Sequence, residues 1–534
     1  MRQPSCASRQ TEQILARGRV YASRDDFALV FPNRLSVGIS NLGVQTIYGL
    51  ITESAARCEL FFSNGPLNKK AAPPSSFGTI AFSLSFEGDY QGVVAFMRDS
   101  GIEPMSAKRG DADPLVIAGG MAVTLNPEPL ADFVDIFYLG EAEGTFPSLI
   151  NFLTDHRGAG RATLLEKLKE LNLPGIYIPE ADPPKPVAIQ KAPPGWEPAH
   201  TRLISKKDAF SGAYLVEVSR GCPHGCRFCA TGYVNRPTRF TPVSDLEPWI
   251  IEGAKKAGRL GFVGAAVSDH PRFKEIAELA LEHAGSFTLS SFRAENINDE
   301  YLSLLKRGGQ RTLTVALEAG CENLRLKVGK KMRDEVLLNA AALARAHDIR
   351  TLKIYAMVGL PGETEGDIES LLNLVAAARR EMGRGIVNLG VSPFVPKPNT
   401  PFQWEAMASR ETLTKRIRSI KSGAGKIKGL NVSAESPKWA QVQGLLSRGG
   451  RETGRWLAMN PDSGTWNRIL KTPEADAILG AKHFGANLPW AFITNVPSRQ
   501  SLLNEAMKAN SFNPPDACPS KGCEACGLCS HKSN

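Results

Sequence analysis

Short apolar runs recur along this chain from Phe27 to Phe394, and each is followed by a stretch of helical periodicity. A strand that reaches its next partner through a helix lies parallel to it, so this alternation confines the chain to parallel sheets covered by helices. FALVFP, CELFF, TIAFSLSF, PLVIAGG and DIFYLG read as five strands between Phe27 and about Leu153, with helices in SNLGVQTIYGLI, YQGVVAFMRDSG and EGTFPSLINFL. The expectation is a doubly wound, flavodoxin- or Rossmann-like α/β domain over residues 1–180. Ligands of such sheets bind beyond the carboxyl ends of the strands. That directs attention to Ser40, Asn41 and Gly43, to Ser83 and Glu87, to Gly119 and Gly120, and to Glu141 after Gly140.

The prolines of PEADPPKPVAIQKAPPGWEP preclude a continuing helix and mark a linker over residues 181–200. AYLVEVS, GFVGAAVS, FTLSSFRA, RTLTVALEAG, LKIYAMVGLPG and GIVNLGVSPF then repeat at strand-then-helix spacing. Six such units over residues 201–404 predict a partial (β/α)6 TIM-like barrel with its site at the carboxyl ends of the strands. Residues 405–534 read as less regular, a basic helical stretch (Arg410, Lys415, Arg416, Arg418, Lys421, Lys426, Lys428) before a cysteine-rich tail.

Hydrophobic residues at 42% and charged residues at 22% exclude a disordered or collagen-like chain. No apolar run approaches the ~18 residues of a membrane span, and the first residues, MRQPSCASRQTEQ, lack the apolar stretch of a signal peptide. The expectation is a cytoplasmic enzyme-sized chain. Its net charge of +10 permits an anionic partner without requiring one. The basic stretch, with Arg325, Lys327, Lys330, Lys331 and Arg333, could meet RNA phosphates; no aromatic residues interleave it, which favours a solvated helix face.

Seven of the ten cysteines fall in two clusters, leaving Cys6, Cys58 and Cys321 scattered. Such spacing suits metal ligation in a reducing compartment better than disulfides. Cys222, Cys226 and Cys229 form C-x3-C-x2-C directly after the first barrel strand. Three thiolates leave one iron of a four-iron cluster open to a ligand. A zinc knuckle would need a fourth donor, and His224 lies awkwardly inside the loop. Cys518, Cys523, Cys526 and Cys529 form C-x4-C-x2-C-x2-C, a closed shell that suits a second four-iron cluster or zinc. Cys321 reads as either a reactive thiol or a small packing residue.

The C-x3-C-x2-C loop with Phe228 before its last cysteine resembles the radical S-adenosylmethionine (SAM) superfamily. TVALEAGCENLRLKVGKK, VGLPGET and VSPFVPKPNTPFQW at the fourth, fifth and sixth strands extend the resemblance over about Thr201 to Trp404. It implies a [4Fe-4S] cluster on Cys222, Cys226 and Cys229. SAM would chelate the open iron and be cleaved to methionine and a 5′-deoxyadenosyl radical, with electrons from a ferredoxin or flavodoxin. By motif, Phe228 would lie near the adenine, Glu318 near the ribose, and the backbone of Val358, Gly359 and Gly362 along the adenine edge. The family's Gly-Gly-Glu at the second strand is replaced by GAAVSDHP. Asp269 or the Ser268 backbone would then take the SAM amino group, and Ser291 and Arg293 the carboxylate.

VGISNLGVQTIYGLI, PLVIAGGMAVTLNPEPLADFVDIFYLGEAEGTFPSLI and KWAQVQGLLSRGGRETG are similar to the cobalamin-binding subgroup of that superfamily. The Asp-x-His-x-x-Gly motif that supplies a cobalt ligand is missing, and no histidine precedes His156. The resemblance implies methyl transfer from cobalamin to an unactivated carbon. The alternatives are a radical SAM enzyme without cobalamin, performing rearrangement, oxidation or sulfur insertion, and an RNA-binding protein with a structural cluster.

Overall fold

The computed structural model describes residues 26–54, 56–179, 184–205, 208–518, 523 and 526–528; Cys6 and Cys529 lie outside them. The chain divides into two compact units, each assembled from separated segments. The first comprises Met1–Tyr214, Leu445–Ala475 and Asn487–Val496, the second Leu215–Gly444, Asp476–Ala486 and Pro497–Asn534.

Unit 1 contains β1 (Phe27–Phe31), α1 (Leu42–Thr52), β2 (Cys58–Phe62), β3 (Thr79–Ser83), α2 (Tyr90–Asp99), β4 (Leu115–Gly119), β5 (Ile136–Tyr138) and α3 (Phe146–Asp155). The strands are parallel in the order β2-β1-β3-β4-β5, the flavodoxin-like arrangement. Every residue of β1, β2 and β3 is buried, which is why these strands read as continuous apolar runs rather than alternating ones. Two-residue antiparallel strands, Gly65–Pro66 and Ile176–Tyr177, close the two edges.

The proline-rich stretch is not a free linker. Val187–Ala188 pairs in parallel with Ile493–Thr494, and Gln190 bridges Gly140, its N–H donating to Leu139 O at 2.9 Å. Proline forbids a helix but suits extended chain at a sheet edge, so the described residues of that stretch, from Pro184 on, make a strap of unit 1.

Unit 2 carries the six expected strands, β6 (Tyr214–Glu217), β7 (Leu260–Val263), β8 (Phe287–Leu289), β9 (Thr312–Glu318), β10 (Thr351–Val358) and β11 (Ile386–Pro393). A seventh, β12 (Leu430–Ala434), adds parallel to β11 and moves the end of the sheet past the expected boundary at Trp404. It was illegible because an edge strand reading Leu-Asn-Val-Ser-Ala buries few side chains. The strands form two sheets, β8-β7-β6 and β9-β10-β11-β12. A backbone hydrogen bond from Phe292 N–H to Thr314 O, 2.9 Å, ties the end of β8 to β9. Helices α4 (Val243–Ala257), α5 (Phe273–Ala284), α6 (Asp299–Arg307), α7 (Asp334–Ala346), α8 (Glu365–Glu381) and α9 (Arg410–Ala424) alternate with the strands, and α10 (Arg499–Asn510) precedes the tail. Among the described residues no helix is long and apolar enough to cross a membrane.

Candidate active site

The cysteine loop leaves β6 through Gly221, whose φ of +79° and closeness to Asn235 O, 2.5 Å from a would-be Cβ, require glycine. Arg227, between Cys226 and Cys229, is wholly buried. Its Nε and Nη2 donate to Glu505 Oε1 at 2.9 and 2.6 Å, and its Nη1 to Leu326 O and Lys327 O, both at 2.9 Å. Its backbone N–H donates to Val328 O at 2.9 Å and its carbonyl accepts from Phe402 N–H at 3.2 Å. One side chain thus fixes the loop against several segments, none of which is near it in sequence.

Burial pushes the Cys222 thiol up to about 11 and Cys226 up to about 12, and raises Cys229. Such thiols ionise only when a positive centre compensates them, which is what a bound cluster does. Among the described residues no group of three or more His, Cys, Asp or Glu side chains converges on a single metal ion. His224 turns its Nε2 to Asp269 Oδ1 at 3.2 Å. The donor set of the loop is therefore three thiols, which fits a four-iron cluster with one open iron.

Asp269, on the one-turn helix after β7, also accepts from Asn296 Nδ2 at 3.1 Å, and Arg293 Nε lies 4.0 Å away. Burial works to raise this carboxyl, yet the His224 hydrogen bond, Asn296 and the Arg293 charge together hold it below the usual range. Its second oxygen, Oδ2, is buried with no hydrogen-bond partner. Ser268 Oγ accepts from Arg293 N–H at 3.1 Å, and Arg293 Nη2 donates to Glu295 at 2.8 Å. Ser291 is exposed and stays outside this network.

Glu318 ends β9 at φ +72°, a conformation side chains rarely adopt, and the β9–β10 register slips between Ala316 and Glu318. Strain of this kind re-aims a side chain at functional sites. Burial raises the Glu318 carboxyl, against the charges of Lys330 and Arg293. Lys330 is 6% exposed, and its charge bears on both Glu318 and Cys226. The sequence offered it only as one of several basic residues; its burial, and that of Arg325, correct that grouping. Arg325 Nη1 donates to Ala319 O and Gly320 O, each at 3.1 Å, and so braces the backbone that follows Glu318.

Gly320 completes the motif. A Cβ there would collide with Asp367 O and lie 2.7 Å from Leu371 N, so α8 packs backbone to backbone on the turn. The Val358–Gly362 turn has Gly359 and Gly362 at φ +81° and +78°. Glu363 Oε2 accepts from Gly359 N–H at 2.6 Å and from Arg416 Nη1 at 2.7 Å. Burial pushes the Glu363 carboxyl up to about 7 despite those donors. Arg416 is thus buried in an ion pair, whereas Arg410, Lys415, Arg418, Lys421, Lys426 and Lys428 are exposed. Phe228 and Cys321 pack with Ala319, Leu360, Phe394, Phe402 and Ala509 in one apolar cluster, which gathers the motif-bearing segments. Cys321 also caps a short helix through Leu324 N–H, 3.3 Å, and lies 2.7 Å from Asp367 Oδ1.

At the carboxyl edge of the unit 1 sheet, Asn41 caps α1 by accepting from Val44 N–H at 3.1 Å and donates to Ser85 Oγ at 3.0 Å. Ser40 Oγ donates to Ser36 O at 2.9 Å, and Gly43 is exposed. Ser83 pairs with Gly119 in the β3–β4 ladder. Glu87 is buried, and its charge adds to burial in raising neighbouring Asp89 to about 6. Gly120, at φ +105°, has Leu84 O 2.5 Å from a would-be Cβ, and at Gly140 that space holds the Gln190 backbone. Glu141 Oε2 accepts from Ala192 N–H at 2.7 Å. Gly120, Gly140 and Glu141 are thereby accounted for by chain packing.

Two family models match this chain, one described as radical SAM proteins, N-terminal, over residues 43–179, the other as radical SAM superfamily, over residues 216–375. An uncharacterised protein of Methanocaldococcus jannaschii is 30% identical over 443 residues, 82% of this chain and 92% of that protein. An uncharacterised methyltransferase of Pyrococcus horikoshii is 24% identical over 301 residues, 54% of this chain and 64% of that protein. Among solved structures, a cobalamin-dependent S-adenosylmethionine radical enzyme with aqua-cobalamin and S-adenosylmethionine bound has a TM-score of 0.49 at 13% identity, covering 91% of this chain and 78% of that one.

Proposed function

The chain belongs to the radical SAM superfamily, and from that premise we propose that it is a methyltransferase acting on an unactivated carbon with cobalamin held by unit 1. A four-iron cluster supplies the electron that cleaves SAM to methionine and a 5′-deoxyadenosyl radical, and cobalamin supplies a transferable methyl group. Cys222, Cys226 and Cys229 hold the cluster. Asp269 Oδ2 accepts from the SAM ammonium, and Arg293 pairs with the SAM carboxylate. Glu318 faces the ribose, the Val358–Gly362 backbone meets the adenine edge, and Phe228 packs on the ring. Ser268 fixes the Arg293 backbone.

The observation that carries the SAM-binding part of this reading is the Asp269 carboxylate. It is kept ionised by His224 of the cysteine loop and by Asn296 and Arg293, and it leaves one buried oxygen unsatisfied. A buried anionic acceptor without a partner is costly unless a ligand cation completes it. Reduced, iron-loaded protein should release 5′-deoxyadenosine from SAM, Cys226→Ala should release none, and Asp269→Asn should raise the KM for SAM roughly tenfold or more, the loss of one charged hydrogen bond. Unaltered SAM binding by the Asp269→Asn protein would remove the assignment.

The packing of Gly120 and Gly140 by backbone favours a second reading, a radical SAM enzyme without cobalamin that performs rearrangement, oxidation or sulfur insertion. Corrinoid retained after incubation with cobalamin, and label moving from the SAM methyl group to product, separate the two.

A further inference from the structure

Strands β9 to β12 carry two sets of side chains, because successive residues of a strand point to opposite faces. Leu352, Ile354, Val387 and Leu389 are wholly buried, and α8 and α9 pack on these strands. The alternate residues form the inner face of the partial barrel, and they are largely polar. Register places Thr314, Lys353, Asn388 and Asn431 side by side on four adjacent strands, with Ala316, Tyr355, Gly390 and Ser433 in the next row towards the carboxyl ends. A closed parallel barrel fills such positions with bulky branched side chains. Here Lys353 and Asn388 are half-buried, and Tyr355, Asn431 and Ser433 are exposed, so the face is open to a ligand.

The side chains on this face are arranged against one another. The Tyr355 ring lies across Gly390, where a Cβ would come within 2.9 Å of its Cδ1 and 3.0 Å of its Cε1, so the glycine leaves the room that the ring occupies. The ring itself stays 40% exposed and forms an aromatic platform. Lys353 Nζ lies 4.9 Å from the ring centroid, and among the described residues no carboxylate pairs with that ammonium. Asn431 Nδ2 donates to Asn388 Oδ1 at 2.9 Å, which leaves the Nδ2 donors of Asn388 for a ligand on the strand next to Lys353. Tyr355 immediately precedes Ala356, the register partner of Glu318, so the platform reaches the end of the barrel to which SAM is assigned.

We propose that this inner face binds the molecule to be methylated, and that this molecule is a flat, apolar ring system bearing an anionic group, a carboxylate or a phosphate. The ring lies on Tyr355, and the anion takes the Lys353 ammonium and the Asn388 amide. A cationic ligand would meet like charge there. The proposal rests on the reading of Glu318 as the residue that faces the SAM ribose, which sets the reacting end of the platform.

The test uses the full chain, purified without oxygen and loaded with iron and sulfide, and three probes of similar shape: naphthalene carboxylate, naphthyl phosphate and uncharged naphthamide. In isothermal titration at least one anion should bind about tenfold more tightly than the amide, the yield of a charge-assisted hydrogen bond. Which anion binds more tightly identifies the group that the site is built for. Lys353→Met should abolish the preference, Lys353→Arg should keep it, and Tyr355→Ala should weaken binding of all three probes. Equal binding of anions and amide, binding of none of the three, or a preference that survives Lys353→Met overturns the proposal. The preference of the unsubstituted protein does not depend on how any variant folds. Release of 5′-deoxyadenosine from SAM by that protein under dithionite, without probe, is measured separately. Its absence sinks the SAM reading and with it the ligand's role as methyl acceptor, whereas its presence with no anion preference sinks only this site.

Discussion

Two N–H groups of the Arg227 guanidinium converge on a single oxygen of Glu505, joining the centre of the cysteine loop to a helix that lies 278 residues further along the chain. The pair is buried on the arginine side, so removing the carboxylate leaves a charge with no counterion. Glu505→Ala should cost unit 2 about 3–5 kcal/mol, read by denaturant unfolding, and should lower iron retention. Glu505→Gln keeps an acceptor and should lose less. Equal loss in both would show that the charge is not what matters.

Gly320→Ala should be among the most damaging single-methyl changes in the chain. Its Cβ meets the backbone of α8 rather than a side chain that can swing away. An expected cost of about 2–3 kcal/mol, with impaired SAM binding because Glu318 is two residues earlier, can be read by thermal unfolding and by isothermal titration with SAM. An unperturbed variant would mean that α8 shifts freely.

Asp89 gives unit 1 a pH dependence of defined sign. Burial pushes its carboxyl up from 3.8 to about 6, with Glu87 adding to the shift and Asn33 opposing it. Between about pH 4 and 6 the unfolded chain loses this proton before the folded chain does. Stability therefore falls as pH rises through that window, by up to about 3 kcal/mol, and is flat above it. Asp89→Asn should abolish this segment of the profile in urea unfolding monitored at each pH.

Lys330→Met should make the loop cluster harder to reduce. A buried cation near Cys226 and Glu318 stabilises the more negative, reduced state, and methionine preserves the bulk while removing the charge. A fall in midpoint potential on the order of 60 mV, one tenfold change for a single electron, is expected in a spectroscopic redox titration. A potential that does not move would place the ammonium too far away to matter.

The first three strands of unit 1 were legible because their apolar runs are continuous, those of unit 2 as far as β11 because strand-then-helix spacing repeats, and the cysteine spacing pointed to the loop. What could not be read depends on partners distant in sequence. Arg416 belongs to a basic run by composition and to Glu363 by structure, and nothing local marks the difference. Arg325 and Lys330 sit in a run of cations of which these two are buried while Lys331 and Arg333 are exposed. Gly120 and Gly140 look like ligand-cradling glycines, yet the space beside them is filled by Leu84 and by the proline-rich strap. Asp269 was found from sequence only because the expected Gly-Gly-Glu was missing; its bond to His224 came from the fold.

Because unit 1 is completed by Leu445–Ala475 and Asn487–Val496, and unit 2 by Asp476–Ala486 and the helix Arg499–Asn510, neither can finish folding while the ribosome is still making the middle of the chain. The loop thiols emerge long before Glu505 and Asn513 exist to pin Arg227. Metal delivery and protection from oxygen therefore face a nascent chain whose loop cysteines are made early and enclosed last, and a stop codon anywhere before Asn487 deprives both units at once.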